Sequence, residues 1–155
     1  MGFFCKRKMD KRYIKEILAE DIQSLGCTIW GVEFFGRLKN KTLRIYIDKK
    51  QGISIEDCEK VSKHVIKVLD AENEFSSKYF LEVSSPGLDR RFFFDYQYQD
   101  YIDCTINVKY INDSKDKVSA KGIVKKVTEF GLFLVCGKET IEVPFSSIIQ
   151  GNLIM

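Results

Sequence analysis

Histidine is almost absent from this chain. His64 is the only one among 155 residues. It falls beside the apolar stripe of a helical pattern and reads as a helix-surface residue rather than a catalytic base. The chain also lacks a CxxC pair. Its five cysteines, Cys5, Cys27, Cys58, Cys104 and Cys136, are odd in number and widely spread, which argues for reduced thiols in apolar segments over a metal or redox site. There is no Gly-rich phosphate loop, no HExxH and no Gly-x-Ser-x-Gly elbow. No apolar run approaches the roughly 20 residues that a membrane span needs. Met1–Cys5 is too short, and too closely followed by charge, for a secretory signal, and Met1-Gly2 is not completed into a myristoylation motif. These absences set the expectation of a cytoplasmic protein with no catalytic residue, cofactor, metal or membrane partner.

What is present describes a globular chain. Hydrophobic residues make up 45% and charged residues 30%, the balance of an ordered protein rather than a disordered one. Net charge is only +3, but its distribution is uneven. Up to Arg90 there are 17 Lys and Arg against 14 Asp and Glu; from Arg91 onward there are 8 of each. The excess gathers at Lys6, Arg7, Lys8, Lys11, Arg12 and Lys15, a cluster that either tracks phosphates or solvates a helix start.

Along the first half, the periodicity predicts a helix over residues 11 to 25. Ile14, Ile17, Leu18, Ile22 and Leu25 form its apolar face, Asp10 its N-cap and Gly26 its stop. Residues 27 to 35 read as a strand with Trp30, Val32 and Phe34 on one face and Ile29 and Phe35 on the other. A loop carrying Arg37, Lys39 and Lys41 joins it to a second strand, where Leu43, Ile45 and Ile47 alternate with Thr42, Arg44, Tyr46 and Asp48. Ser54 caps a second helix, predicted to end near Leu69, with Cys58, Val61, Val65, Val68 and Leu69 buried. A polar link over 70 to 78 leads to a third strand, Tyr79, Leu81 and Val83 inward. The expected order is α-β-β-α-β, a sheet covered on one face by both helices.

The stretch YFLEVSSPGLDR, residues 79 to 90, organises the rest. The strand runs into Ser84-Ser85-Pro86-Gly87, where Pro86 and Gly87 suit the two central positions of a type II turn. Leu88 is expected to drop back onto the apolar layer, leaving Asp89 and Arg90 at the surface. The turn reads as a stiff junction between domains 1–90 and 91–155. Residues 91 to 101 are rich in aromatics and read as a short helix or a packed loop. Strand patterns follow at 103 to 110, 118 to 127 (bent at Gly122), 132 to 136 and 140 to 145. A 3₁₀ turn at 146 to 149 comes next, and Leu153-Ile154 closes a small SH3-like or Sm-like barrel. The fold class expected is therefore α+β. The barrel's Lys109, Lys117, Lys121, Lys125 and Lys126 either blunt strand edges or contact RNA or protein.

Two readings of the central turn are open. Ser84, Ser85, Pro86, Gly87 and Asp89 are structural, with hydroxyls tying down the loop, and Arg90 and Arg91 meet phosphate or an acidic partner. The partner-binding candidates by charge and placement are Arg90, Arg91, Arg37, Lys39, Lys41, Lys8 and Arg12. A hydrolase or transferase using Ser85, Asp89 and Asp48, or a carboxylate pair among Asp48, Glu82 and Asp89, is the competing chemistry, with no companion motif to support it.

Several motifs together resemble the RimP family of ribosome maturation factors. LEVSSPGLDR (81 to 90) is similar to the family's most specific signature. Leu43-Arg-Ile-Tyr-Ile-Asp48, the run from Gly52 to Ser62, and Val68-Leu-Asp70 follow in the family's order and spacing, while Gly122-Ile-Val124 and Asn152-Leu153 fit more loosely. The resemblance implies an α/β domain followed by an Sm-like barrel. It also implies a monomeric, non-enzymatic assembly factor for the small (30S) ribosomal subunit, binding rRNA and the twelfth small-subunit protein near the decoding centre. Where the family usually has proline after the last arginine, this chain has Arg91. A general RNA-binding module unconnected to ribosomes is the alternative.

Overall fold

Asp10 starts the first helix by local chemistry: its carboxylate accepts a hydrogen bond from the Tyr13 amide at 2.9 Å. A cap of this kind stabilises a helix by about 1 kcal/mol. In the computed structural model, which describes residues 9–37 and 39–155, this helix is α1, Lys11–Ser24. It ends where expected. Gly26 takes φ +88°, so its amide reaches the Gln23 carbonyl at 2.9 Å and the Cys27 amide the Ile22 carbonyl at 3.1 Å. That pair of bonds satisfies carbonyls the last turn would otherwise leave open, and it needs a left-handed residue between them. Tyr13, Ile14, Leu18 and Ile22 are buried.

The chain divides into two compact units, Met1–Pro86 and Gly87–Met155. In the first, β1 (Thr28–Phe35) and β2 (Lys41–Asp48) pair antiparallel, and β3 (Tyr79–Ser84) joins β2 in parallel. A parallel neighbour needs a crossover, supplied by α2, Ile55–Asn73. Its start is a reciprocal cap: the Asp57 amide donates to Ser54 Oγ at 3.1 Å and the Ser54 amide to Asp57 Oδ2 at 2.9 Å. Leu43, Ile45 and Ile47 of the central strand are fully buried, with Val61, Val65 and Leu69 of α2 and Ile14, Leu18 and Ile22 of α1 in the same core. Each such side chain contributes about 1.5–3 kcal/mol by leaving water.

Two expectations for this unit need correction. The register of β1 against β2 slips between Ile29 and Gly31. The extra residue, Trp30, reverses the parity, so Ile29 packs on the core beside Val32 and Phe34 while Trp30 does not. The second helix also continues past Leu69 to Asn73, so the predicted polar link shrinks to a left-handed Glu74 (φ 50°) and a 3₁₀ turn, Phe75–Ser77. Phe75 explains the extension: it is 1% exposed and stacks on Tyr79 with centroids 5.2 Å apart. The Asp70 carboxylate secures the turn by accepting from the Ser76 amide at 2.6 Å and the Ser76 hydroxyl at 2.5 Å.

The second unit is strand-rich. Its six-stranded sheet has the order β4-β9-β5-β6-β7-β8, comprising β4 (Arg91–Phe92), β5 (Thr105–Ile111), β6 (Lys117–Val127), β7 (Gly131–Cys136), β8 (Glu139–Pro144) and β9 (Ile148–Leu153). Ile106, Val108, Val124, Leu132, Leu134 and Val143 are fully buried. The aromatic stretch forms a 3₁₀ helix, Asp95–Tyr101. It is anchored by the buried Gln97, whose Oε1 accepts from the Phe93 and Phe94 amides at 2.7 and 3.1 Å. Tyr98, 3% exposed, packs its ring 4.3 Å from that of Phe92. Its hydroxyl lies over Gly151, where a β-carbon would collide with it.

Here the closure expected from Leu153-Ile154 is not what the pairings show. Leu153 belongs to β9, an interior strand between β4 and β5, and among the described residues the end strands β4 and β8 each pair with one neighbour only. Nor does Gly122 break β6. The strand runs through it, with its register slip at Lys125, and the missing side chain instead leaves room for Val135 and Cys136 of β7. Among the described residues, no helix is long and apolar enough to cross a membrane.

Candidate nucleic-acid interface

The hairpin end of the first unit is assembled by strand direction. β1 finishes there and β2 begins there. Because β3 runs parallel to β2, its start is there too, with Lys41 opposite Tyr79 in the register. α1 also begins at this end, since Met9, Asp10 and Lys11 share a hollow with Phe34, Phe35 and Tyr79. Topology thus gathers cations from three separate stretches. Lys39 and Lys41 come from the hairpin, Lys78 from the residue before β3, and Lys11 from α1; Arg37 lies in the same hairpin loop.

Two adjoining hollows mark the place. One, of about 420 Å³, is walled by Phe34, Phe35, Tyr79 and Lys41 among others. The second, of about 360 Å³, is lined by Lys39, Lys41, Ser77, Lys78 and Tyr79. Lys41 and Tyr79 belong to both, and the Lys41 ammonium sits 5.7 Å from the centroid of the Tyr79 ring. Arg37, Lys39 and Lys41 are exposed. Among the described residues, no ion pair engages Lys39, Lys41 or Lys78. Three uncompensated cations around one concavity focus a positive field there.

Phe35 is held from the other side. The open face of the sheet carries Arg44, whose guanidinium carbon is 4.5 Å from the Phe35 centroid. Arg44 is itself fixed by Glu82 at 2.7 Å and Glu33 at 3.7 Å, its direct neighbours across β3 and β1. The hydrogen bonds that Arg44 donates to Tyr46 and Glu82 raise its pKa further above its ordinary value. Each pair is partly exposed and contributes at most about 1 kcal/mol; the consequence is order at Phe35 rather than stability.

The remaining candidates are placed as follows. Lys8, with Lys6 and Arg7, lies outside the described residues. Arg12 is exposed and reaches Glu16 at 3.2 Å, one turn along α1. In the second unit, Arg90 and Arg91 are half-buried. The Arg90 carbonyl accepts from the Leu153 amide at 2.9 Å. Arg91 sits in β4 opposite Asn152, with its guanidinium 4.9 Å from the Phe93 ring centroid. Ser84 Oγ donates to the Ser85 carbonyl at 3.1 Å, and Gly87 has the positive φ, +80°, that the turn asked of it. The chain's reversal falls at Leu88-Asp89, however, and Leu88 is 74% exposed rather than returned to the apolar layer.

For the competing chemistry, Glu82 is taken by Arg44, and Asp48 ends β2 opposite Thr28. His64 Nε2 approaches Asp21 of α1 to 2.9 Å, a close but poorly aligned contact between the two helices. Among the described residues, no group of three or more His, Cys, Asp or Glu could hold a metal ion. Cys27, Cys58 and Cys136 are free thiols, each pushed upward in pKa chiefly by burial, which keeps them protonated and unreactive.

Lys78, Ser77 and the aromatic wall were not among the sequence candidates. The signal that could have found them is the α-β crossover itself: a parallel β3 forces its first residues to lie beside the start of β2.

Fold and site together define an α+β protein of two units, the first presenting a cationic, aromatic-walled end. Residues 17–89 match the family described as the RimP N-terminal domain, so the first unit carries that domain, which supports membership of the RimP family of ribosome maturation factors.

Proposed function

We propose that this protein binds the immature small ribosomal subunit and helps a site near the decoding centre to fold, acting by binding and not by covalent chemistry. The observation that carries the reading is the match of residues 17–89 to the RimP N-terminal domain. The lysine-lined end of that same unit supports a role for it in holding rRNA phosphates. In this reading, domain 1–90 grips rRNA through Arg37, Lys39, Lys41, Arg12 and Lys8. Domain 91–155 acts as a small SH3/Sm-like barrel that meets the twelfth small-subunit protein, and Arg90 and Arg91, at the junction in sequence, also contribute contacts. The protein works in the cytoplasm as a monomer.

Sedimentation of cell extract tests this. The chain is expected to migrate with small-subunit precursors and to be depleted from mature ribosomes. Migration with bulk RNA, or at the top of the gradient under conditions that preserve precursors, would favour the second reading, a general RNA-binding module. That reading stays in play because a cationic end accepts phosphates of any RNA.

A further inference from the structure

We infer that the two adjoining hollows at the hairpin end form a site for one nucleotide, with the base against the Phe34, Phe35 and Tyr79 wall and the phosphate among Lys39, Lys41 and Lys78. This rests on the reading that the first unit contacts RNA, and it specifies how.

The argument is one of matched halves. A nucleotide has a flat apolar part and a dianionic or monoanionic part joined by a short sugar. The larger hollow is walled by rings: Phe34 and Tyr79 meet edge-to-face at 5.9 Å, Tyr79 is itself stacked on Phe75 with Lys41 over its ring, and Phe35, 39% exposed, is the ring presented at the rim. The smaller hollow offers three ammonium groups; the Ser77 hydroxyl on its wall gives its proton to the Glu74 carbonyl at 2.7 Å. Lys41 and Tyr79 stand at the shared boundary, so the two parts of the site are contiguous. The volumes, about 420 and 360 Å³, fall in the range of on the order of 300–1,000 Å³ usual for small-molecule sites. Asp10, a carboxylate on the wall, is occupied by the Tyr13 amide.

Arg44 acts as a positioning residue. Clamped between Glu33 and Glu82, it stacks on Phe35 and fixes the plane that a base would meet. Stacking on aromatic side chains requires a base free of its own helix. The ligand class is therefore a nucleotide unit with an unstacked base, which is either one residue of a single strand or a free mononucleotide.

The test is fluorescence anisotropy on the full chain with a labelled six-nucleotide single-stranded RNA, a duplex of the same sequence, and uridine or adenosine monophosphate as competitor. The single strand is expected to bind more tightly than the duplex. Phe35→Leu, which keeps apolar bulk but removes the ring, should weaken the single strand about tenfold, with the salt slope unchanged and duplex binding unaffected. Lys78→Ala should lower the salt slope by about 0.7, and Lys78→Arg should restore it. Competition by the mononucleotide would identify a free nucleotide as a sufficient ligand; its failure, with strand binding still sensitive to both variants, would assign the site to a strand. Single-strand binding indifferent to both Phe35→Leu and Lys78→Ala overturns the proposal. If those variants also still migrate with small-subunit precursors, the ribosomal reading survives that failure. If strand binding is sensitive to both but the parent chain does not migrate with precursors, the site stands and the ribosomal reading falls.

Discussion

The hairpin end of the first unit and the groove of the second carry opposite charge. Lys39, Lys41 and Lys78 line the former. A hollow of about 620 Å³ in the latter is lined by Asp95, Asp100 and Glu129 with Tyr96 and Phe145 beside them. Both hollows set aromatic rings next to charge, so they differ in sign and not in kind. The difference shows how little net charge says about a surface. The second half has 8 cations and 8 anions, yet its β6 lysines (Lys117, Lys121, Lys125 and Lys126) are all exposed on one strand, and three of its carboxylates share one groove. A polyanion is drawn to the first hollow and repelled by the second.

The sharpest way to separate the two units uses Trp30, the only tryptophan, which lies in the first. Ile45→Ala removes a fully buried side chain from the central strand and should cost about 2–5 kcal/mol, read as an earlier urea transition of Trp30 fluorescence. Gly151→Ala drives a methyl group into the Tyr98 hydroxyl and should cost about 1–3 kcal/mol, read by circular dichroism while the Trp30 curve stays in place. Trp30 moving in step with Gly151→Ala would show that the units unfold as one and would break the comparison.

A smaller effect belongs to the start of α2. Ser54→Ala should cost about 1 kcal/mol. The same cap predicts an acid dependence. Hydrogen bonding to Ser54, first from its backbone amide and then from its side chain, holds the Asp57 carboxyl below its ordinary pKa, with Lys49 assisting. A depressed carboxyl contributes stability that is complete above its unfolded value, about pH 4, and is lost as pH falls through the folded value. Urea midpoints of the Trp30 transition should therefore decline below about pH 4, and Asp57→Asn should flatten part of that decline. The smallest effect distinguishes the two hollows: Asp100→Asn or Glu129→Gln should leave affinity for single-stranded RNA unchanged or slightly raised, whereas Lys78→Ala lowers it. RNA binding weakened by the acidic-groove variants would reverse the assignment.

Much of the first unit was legible because its signals are local. Asp10, Gly26 and Ser54 act within a few residues of themselves, and the alternation of Leu43, Ile45 and Ile47 has one solution once a face is buried. The slip at Trp30 was less legible, although Gly31 inside a strand pattern was the available sign of a bulge. The length of α2 depended on Phe75 finding Tyr79, a tertiary event. Strand β9, Ile148–Leu153, was only partly legible, since the sequence suggested a 3₁₀ turn over 146 to 149 and strand only at Leu153-Ile154, and Gly151 owes its place in that strand to the Tyr98 hydroxyl above it. For the candidate site, sequence charge found Lys39 and Lys41, but Lys78 entered only through the parallel pairing of β3 with β2, which no local pattern states. Leu88 failed for a related reason: a hydrophobic residue after a turn is buried only if something lies above it.

The account stands most directly on the salt dependence of binding to small-subunit precursors. Log affinity against log salt concentration should be measured for the parent chain and for the Lys39→Ala, Lys41→Ala, Lys78→Ala triple variant. Loss of three phosphate contacts predicts a slope shallower by about 0.7 for each lysine removed, with weaker binding at low salt. An unchanged slope and affinity would show that the hairpin end does not face RNA, and would contradict the account.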